Sequence, residues 1–159
     1  VCAHHHLAAD LTDAAQRATA LDTAAAAGGP ALVISEGLLV YLTSVQVAEL
    51  ARELHARTLF RWWLSDLASP KLLAMLAKNW AKSLAEGNAP MQFAPAEGTR
   101  FFEPLGWREA EFRSTWDEAL RLRRTMPMAW LWKLMGRFMS RQRQEEGRRM
   151  SGIILLERS

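Results

Sequence analysis

The chain has 159 residues, half of them hydrophobic and 23% charged, with a formal net charge of +3. That suits one domain with a real core and excludes wholesale disorder. No run approaches the roughly 18 to 20 uninterrupted apolar residues that a membrane-spanning helix needs, and no basic segment followed by an apolar one reads as a leader. The lone cysteine, Cys2, can form no internal disulfide, which fits a reducing, cytoplasmic setting.

His5 to Ala9 reads as a short strand ending at Asp10. Thr12 is placed to cap a helix from about Asp13 to Ala27, which Gly28-Gly29-Pro30 ends. Ala31 to Ser35 is a continuous apolar run, the pattern of a parallel strand buried on both faces. Thr43-Ser44-Val45-Gln46 has capping-box spacing. It opens a helix whose apolar positions Val47, Leu50, Ala51 and Leu54 share one face. Thr58 to Leu64 is the next apolar run, reaching Asp66, and Ser69-Pro70 begins a further helix lined by Leu73, Leu76, Trp80 and Leu84. Residues 88–108 read as a folded loop with short helical pieces. Glu111 to Trp116 reads as a strand, a helical stretch broken near Pro127 follows, and Gly152 to Glu157 is the last strand. Strands alternating with helices predict right-handed crossovers and a parallel sheet with helices on its faces.

Charge is uneven. Residues 121–149 hold nine Lys or Arg against two Glu, and the bases alternate with Trp130, Trp132, Met135, Phe138 and Met139 as on an amphipathic helix. No nucleic-acid-binding motif accompanies them. His4 and His6 would share one strand face, but no Cys or acid at ligand spacing joins them, so no metal site is expected. The absence of Gly-x-Ser-x-Gly leaves Ser-His-Asp catalysis unsupported. Trp62, Trp63 and Trp80 read as core.

Glu36 lies within an apolar stretch, "ALVISEGLLVYL", where a buried carboxylate costs several kcal/mol or more unless it is paired or hydrated. Three expected strands end on or beside acids: Asp10, Glu36 and Asp66. In open α/β sheets, ligands bind beyond the carboxyl ends of the strands. Carboxylates there make poor phosphate sites but good acceptors for hydroxyl, amino or sulfonium groups. Each acid taken singly reads equally well as a solvated strand end or turn cap.

"ALVISEGLLVYLTSVQVAELARELHA" resembles the segment after the fourth strand of the leucine carboxyl methyltransferase-like family of S-adenosylmethionine-dependent methyltransferases. "HLAADLTDAAQRATALD" resembles that family's third-strand segment, and "FFEPLGW" and "MSGIILLER" resemble its bacterial branch. The resemblance implies a Rossmann-like, mostly parallel α/β sheet flanked by helices, with an antiparallel C-terminal strand. It places Asp10 and Leu11 beside the adenine of S-adenosylmethionine and Glu36 by its methionine portion, with Gly37 also among the cofactor-binding residues. Tyr41 either lines the substrate side of the crevice or packs; with Asp66 it forms the candidate substrate pocket. The family's glycine-rich loop and ribose-binding acid have no counterpart, so the chain is expected to be a single domain, residues 1–159, incomplete at its N-terminus. The implied reaction is methyl transfer to a carboxylate or hydroxyl oxygen of a small-molecule or carboxylate substrate. Alignment of donor and acceptor can carry such a transfer, so no catalytic residue is nominated.

Within residues 120–149, the resemblance implies that the Met126 to Met139 stretch lies over the site mouth as a lid. An anionic membrane surface or a protein partner are its other readings. From a different class comes a non-catalytic remnant whose basic helix binds such a partner or surface.

Overall fold

The computed structural model describes residues 3–79, 90–124 and 140–159. Helix α1 (Ala14–Ala25) is followed by β1 (Ala31–Ser35), a 3₁₀ turn (Leu39–Tyr41), α2 (Ser44–Ala56), β2 (Phe60–Ala68) and α3 (Pro70–Asn79). Next come a 3₁₀ helix (Gly98–Leu105), β3 (Trp107–Ser114), α4 (Thr115–Arg121), α5 (Arg141–Arg148) and β4 (Ser151–Arg158). The four strands form one sheet in the order β1-β2-β4-β3. β1 and β2 are parallel, joined across α2 as a βαβ unit, while β4 runs antiparallel to both β2 and β3. Three strands therefore point one way and the C-terminal strand is the reversed one, as expected for this α/β class.

Local chemistry explains the boundaries. Thr43 and Gln46 form a complete capping box at the start of α2, and Val47, Leu50, Ala51 and Leu54 are its buried stripe. Ser69 accepts a hydrogen bond from the Leu72 amide, and Pro70, which has no N–H to leave unpaired, occupies the first turn of α3. Of the expected stripe on this helix, Leu73 and Leu76 are half-buried, and Trp80 and Leu84 lie outside the described residues. Ser114 caps α4 and Ser140 caps α5.

One face of the sheet carries the core. Trp63, Ile154, Leu156 and Trp107 pack with Leu50, Leu54, Phe93 and Phe102. Their polar atoms are satisfied in place: Trp63 Nε1 donates to Ser35 Oγ at 2.9 Å and Trp107 Nε1 to the Ala51 carbonyl at 3.0 Å. Trp63 is thus the core tryptophan the sequence suggests, but Trp62 is 41% exposed.

Several expectations need correction. Residues 3–10 form no strand; they are largely exposed and join no sheet ladder among the described residues, and Asp10 bonds instead within its own turn, to Gln16 and Asp13. Asp13, not Thr12, caps α1, because its carboxylate accepts from the Ala15 and Gln16 amides, both at 2.9 Å. β1 is buried on one face only: Leu32 and Ile34, 48% and 63% exposed, point to the other face. β2 begins at Phe60 and runs past Asp66, and β3 begins at Trp107, four residues before the expected start.

Candidate functional site

The rim beyond the carboxyl end of β1 is built by a short turn. Glu36 follows the last residue of the strand, and Gly37 adopts a left-handed conformation with φ +59°, which glycine enters without steric cost. The Gly37 amide donates to Asp66 Oδ1 at 2.7 Å, joining the turn to the adjacent strand. Gln92 fixes the far side of the turn: its backbone amide donates to the Val40 carbonyl at 2.7 Å, and its side chain donates to the Tyr41 carbonyl at 3.1 Å. Beneath the turn, Ser35 donates to Ser65 at 3.0 Å between the two strands. The Glu36 side chain is exposed and makes no hydrogen bond or ion pair among the described residues. The cost of an acid in an apolar run is thereby avoided by hydration rather than by a partner.

Asp10 sits elsewhere in the local chemistry. One of its carboxylate oxygens accepts from the Thr12 amide at 2.8 Å and the Thr12 hydroxyl at 2.7 Å. The Thr12 hydroxyl holds the Asp10 carboxyl below its ordinary value, so it is ionised near neutral pH. The Leu11 carbonyl accepts from Arg17 at 2.7 Å. Arg17 is 1% exposed and also meets Glu53 at 2.7 Å and Glu49 at 3.3 Å on α2. The N-terminal turn is thus held to α2 through one buried guanidinium.

The structure therefore joins Gly37 to Asp66 directly. No hydrogen bond or ion pair among the described residues joins Asp10 or Leu11 to Glu36, Gly37 or Asp66. Asp66 lies inside β2 rather than after it, and the Tyr41 side chain is 41% exposed. Met126 to Met139 lies outside the described residues.

Past Asp66, a cavity of about 840 Å³ opens where β2 ends. Leu67, Pro70, Pro95 and Met150 supply apolar wall, and Lys71, Arg143, Arg149, Glu97 and Glu146 supply charge. Arg149 is fixed in this wall by two hydrogen bonds to Glu109, at 3.0 and 3.1 Å. Its guanidinium holds the Glu109 carboxyl below the usual carboxylate range. The size suits a small-molecule site. Sequence reasoning missed this wall and missed Arg17. The available signal for Arg17 was Glu49 and Glu53, two acids one turn apart on α2 that call for a cation on the neighbouring helix.

His4 and His6 meet edge to face at 4.5 Å, and no group of three or more metal-ligating side chains occurs among the described residues. No helix among them is long and apolar enough to cross a membrane.

No family model and no curated protein matches the sequence. Among solved structures, the chain is similar to magnesium protoporphyrin IX methyltransferase from Synechocystis with bound S-adenosylhomocysteine. The identity is 18% and the TM-score 0.45, over 85% of this chain and 48% of that one. The same enzyme with bound S-adenosylmethionine matches at 14% identity and TM-score 0.41, over 85% of this chain and 42% of that one. The chain thus spans about half the length of that methyltransferase.

Proposed function

We propose that the chain carries part of the cofactor rim of an S-adenosylmethionine-dependent methyltransferase, related to the leucine carboxyl methyltransferase-like family its sequence resembles. The observation that carries the reading is Glu36: an unpartnered, solvent-facing carboxylate directly beyond a parallel strand, on a turn anchored to the next strand. This is where α/β sheets bind ligands, and the ammonium and sulfonium of S-adenosylmethionine are cations that such a carboxylate accepts. When bound, the cofactor supplies a methyl group on a positively charged sulfur.

Asp10, ionised and exposed, can accept a hydrogen bond from the exocyclic amine of adenine. Gly37 leaves room for close approach, since a Cβ placed there would meet nothing within 4 Å. The cavity past β2 takes the methyl acceptor, a carboxylate or hydroxyl oxygen. Holding that oxygen in line is the protein's task, and this needs no dedicated base.

The test is calorimetric titration of S-adenosylmethionine into the longest version of the protein that its gene encodes. Binding is expected, weakened about tenfold by Glu36→Ala, which is the size of one charge-assisted hydrogen bond. Absence of binding defeats the reading. Binding that ignores both Glu36→Ala and Asp10→Ala keeps the cofactor and moves its site.

A further inference from the structure

The geometry points to Asp66 as a positioning residue that aims Glu36 through the Gly37 amide, not as a residue that touches substrate. The inference rests on the cofactor reading above and deepens it.

Asp66 is an acid within a strand of the sheet, half-buried and opposite Ile153 of β4. An acid in such a place usually has a cation beside it or a reason to be there. No Lys, Arg or His among the described residues pairs with it. The one hydrogen bond its carboxylate makes there is with the Gly37 N–H, at 2.7 Å. That length belongs to a charge-assisted bond. Gly37 is also the residue whose left-handed backbone sets the direction of the turn. Without this bond the amide would have only water, and the turn between Ser35 and Leu39 would lose its tie to β2. Glu36 precedes the anchored amide, so its carboxylate is aimed from a fixed point rather than from a loose loop.

A positioning role through a hydrogen bond differs measurably from a role through charge. Asn at this position keeps an acceptor oxygen and loses the charge; Ala loses both. Amide hydrogen exchange at Gly37, followed by NMR without cofactor, reads the anchor itself. Titration with S-adenosylmethionine reads its consequence.

The expected result is slow exchange at Gly37 in the unmodified chain and in Asp66→Asn. Asp66→Ala should exchange at least tenfold faster, with cofactor affinity about tenfold weaker in Asp66→Ala and within about twofold of the original in Asp66→Asn. Asp66→Asn binding as poorly as Asp66→Ala while Gly37 stays protected would mean direct charge contact, and the inference would fall. Unchanged exchange in Asp66→Ala would also overturn it. If exchange follows this pattern but no form binds S-adenosylmethionine, the anchor stands and the cofactor reading fails. Asp66→Asn, nearly isosteric, separates these results from a simple loss of folding.

Discussion

His55 shows how a single side chain can make stability depend on pH. Its Nε2 atom is buried without a hydrogen-bond partner among the described residues, its ring packs on Trp107 at 5.9 Å, and it rests against the backbone of Gly106. Burial, and secondarily the nearby Arg158 guanidinium, holds its pKa below the ordinary histidine value. The unfolded chain therefore takes up this proton first as pH falls. Stability attributable to neutral His55 is fully present above the unfolded value of about 6.5 and is lost progressively below it. Urea unfolding at pH 7.5 and 5.5 should show a drop that is smaller in His55→Leu than in the unmodified chain. Equal drops would mean that the proton enters the folded protein without penalty. Nothing in the local sequence "ELHAR" announces this, because the contact with Gly106 joins residues far apart in the chain.

At the scale of elements, much of the fold was legible where the decisive interactions are local. The Thr43–Gln46 capping box, the stripe on α2 and the Ser69-Pro70 helix start each depend on residues within two turns of one another. Gly152 to Glu157 reads as the last strand, and β4 covers it from Ser151 to Arg158, bordered on both sides. The expected strand before Asp10 failed for the converse reason: a strand exists only through a paired strand, and residues 3–10 join no sheet ladder among the described residues. Likewise residues 31–34 are all apolar, with Ser35 closing the run, but apolar composition alone could not tell one buried face from two. The site followed the same rule. Glu36 was identifiable as an oddity, while its tie to β2 through Gly37 and Asp66 spans 29 positions. Gly152 illustrates how close the strands lie. A Cβ there would sit 2.3 Å from Phe112 Cζ and 2.7 Å from the Arg113 carbonyl oxygen, and the latter is backbone that can yield only by parting β3 from β4. Gly152→Ala should cost about 1–3 kcal/mol in urea unfolding. A change within a few tenths would show that the two strands separate freely at this point.

At the scale of the whole molecule, the question is what holds the N-terminal turn with Asp10 and Leu11 to the sheet-bearing body. α1 contributes only half-buried Leu21 and Ala25 to the core. The stronger attachment is Arg17, buried between the Leu11 carbonyl and the Glu49 and Glu53 carboxylates, with Arg57 and Asp22 joining the same two helices at 2.7 Å. A buried guanidinium is stabilising only while every partner remains. Arg17→Met keeps much of the side-chain volume and removes the charge. Glu49 and Glu53 are 47% and 27% exposed, so they can rehydrate, and the expected loss of stability is about 2–3 kcal/mol rather than the upper range for a buried pair. The freed Leu11 carbonyl should loosen residues 3–13 selectively. Limited proteolysis under native conditions should then cut within 3–13 faster in Arg17→Met than in the unmodified chain. If Asp10 contacts the cofactor as proposed, S-adenosylmethionine should slow that cleavage in the unmodified chain and do so less in the variant. Cleavage at an unchanged rate would show that α1 packing, not the buried arginine, carries the attachment.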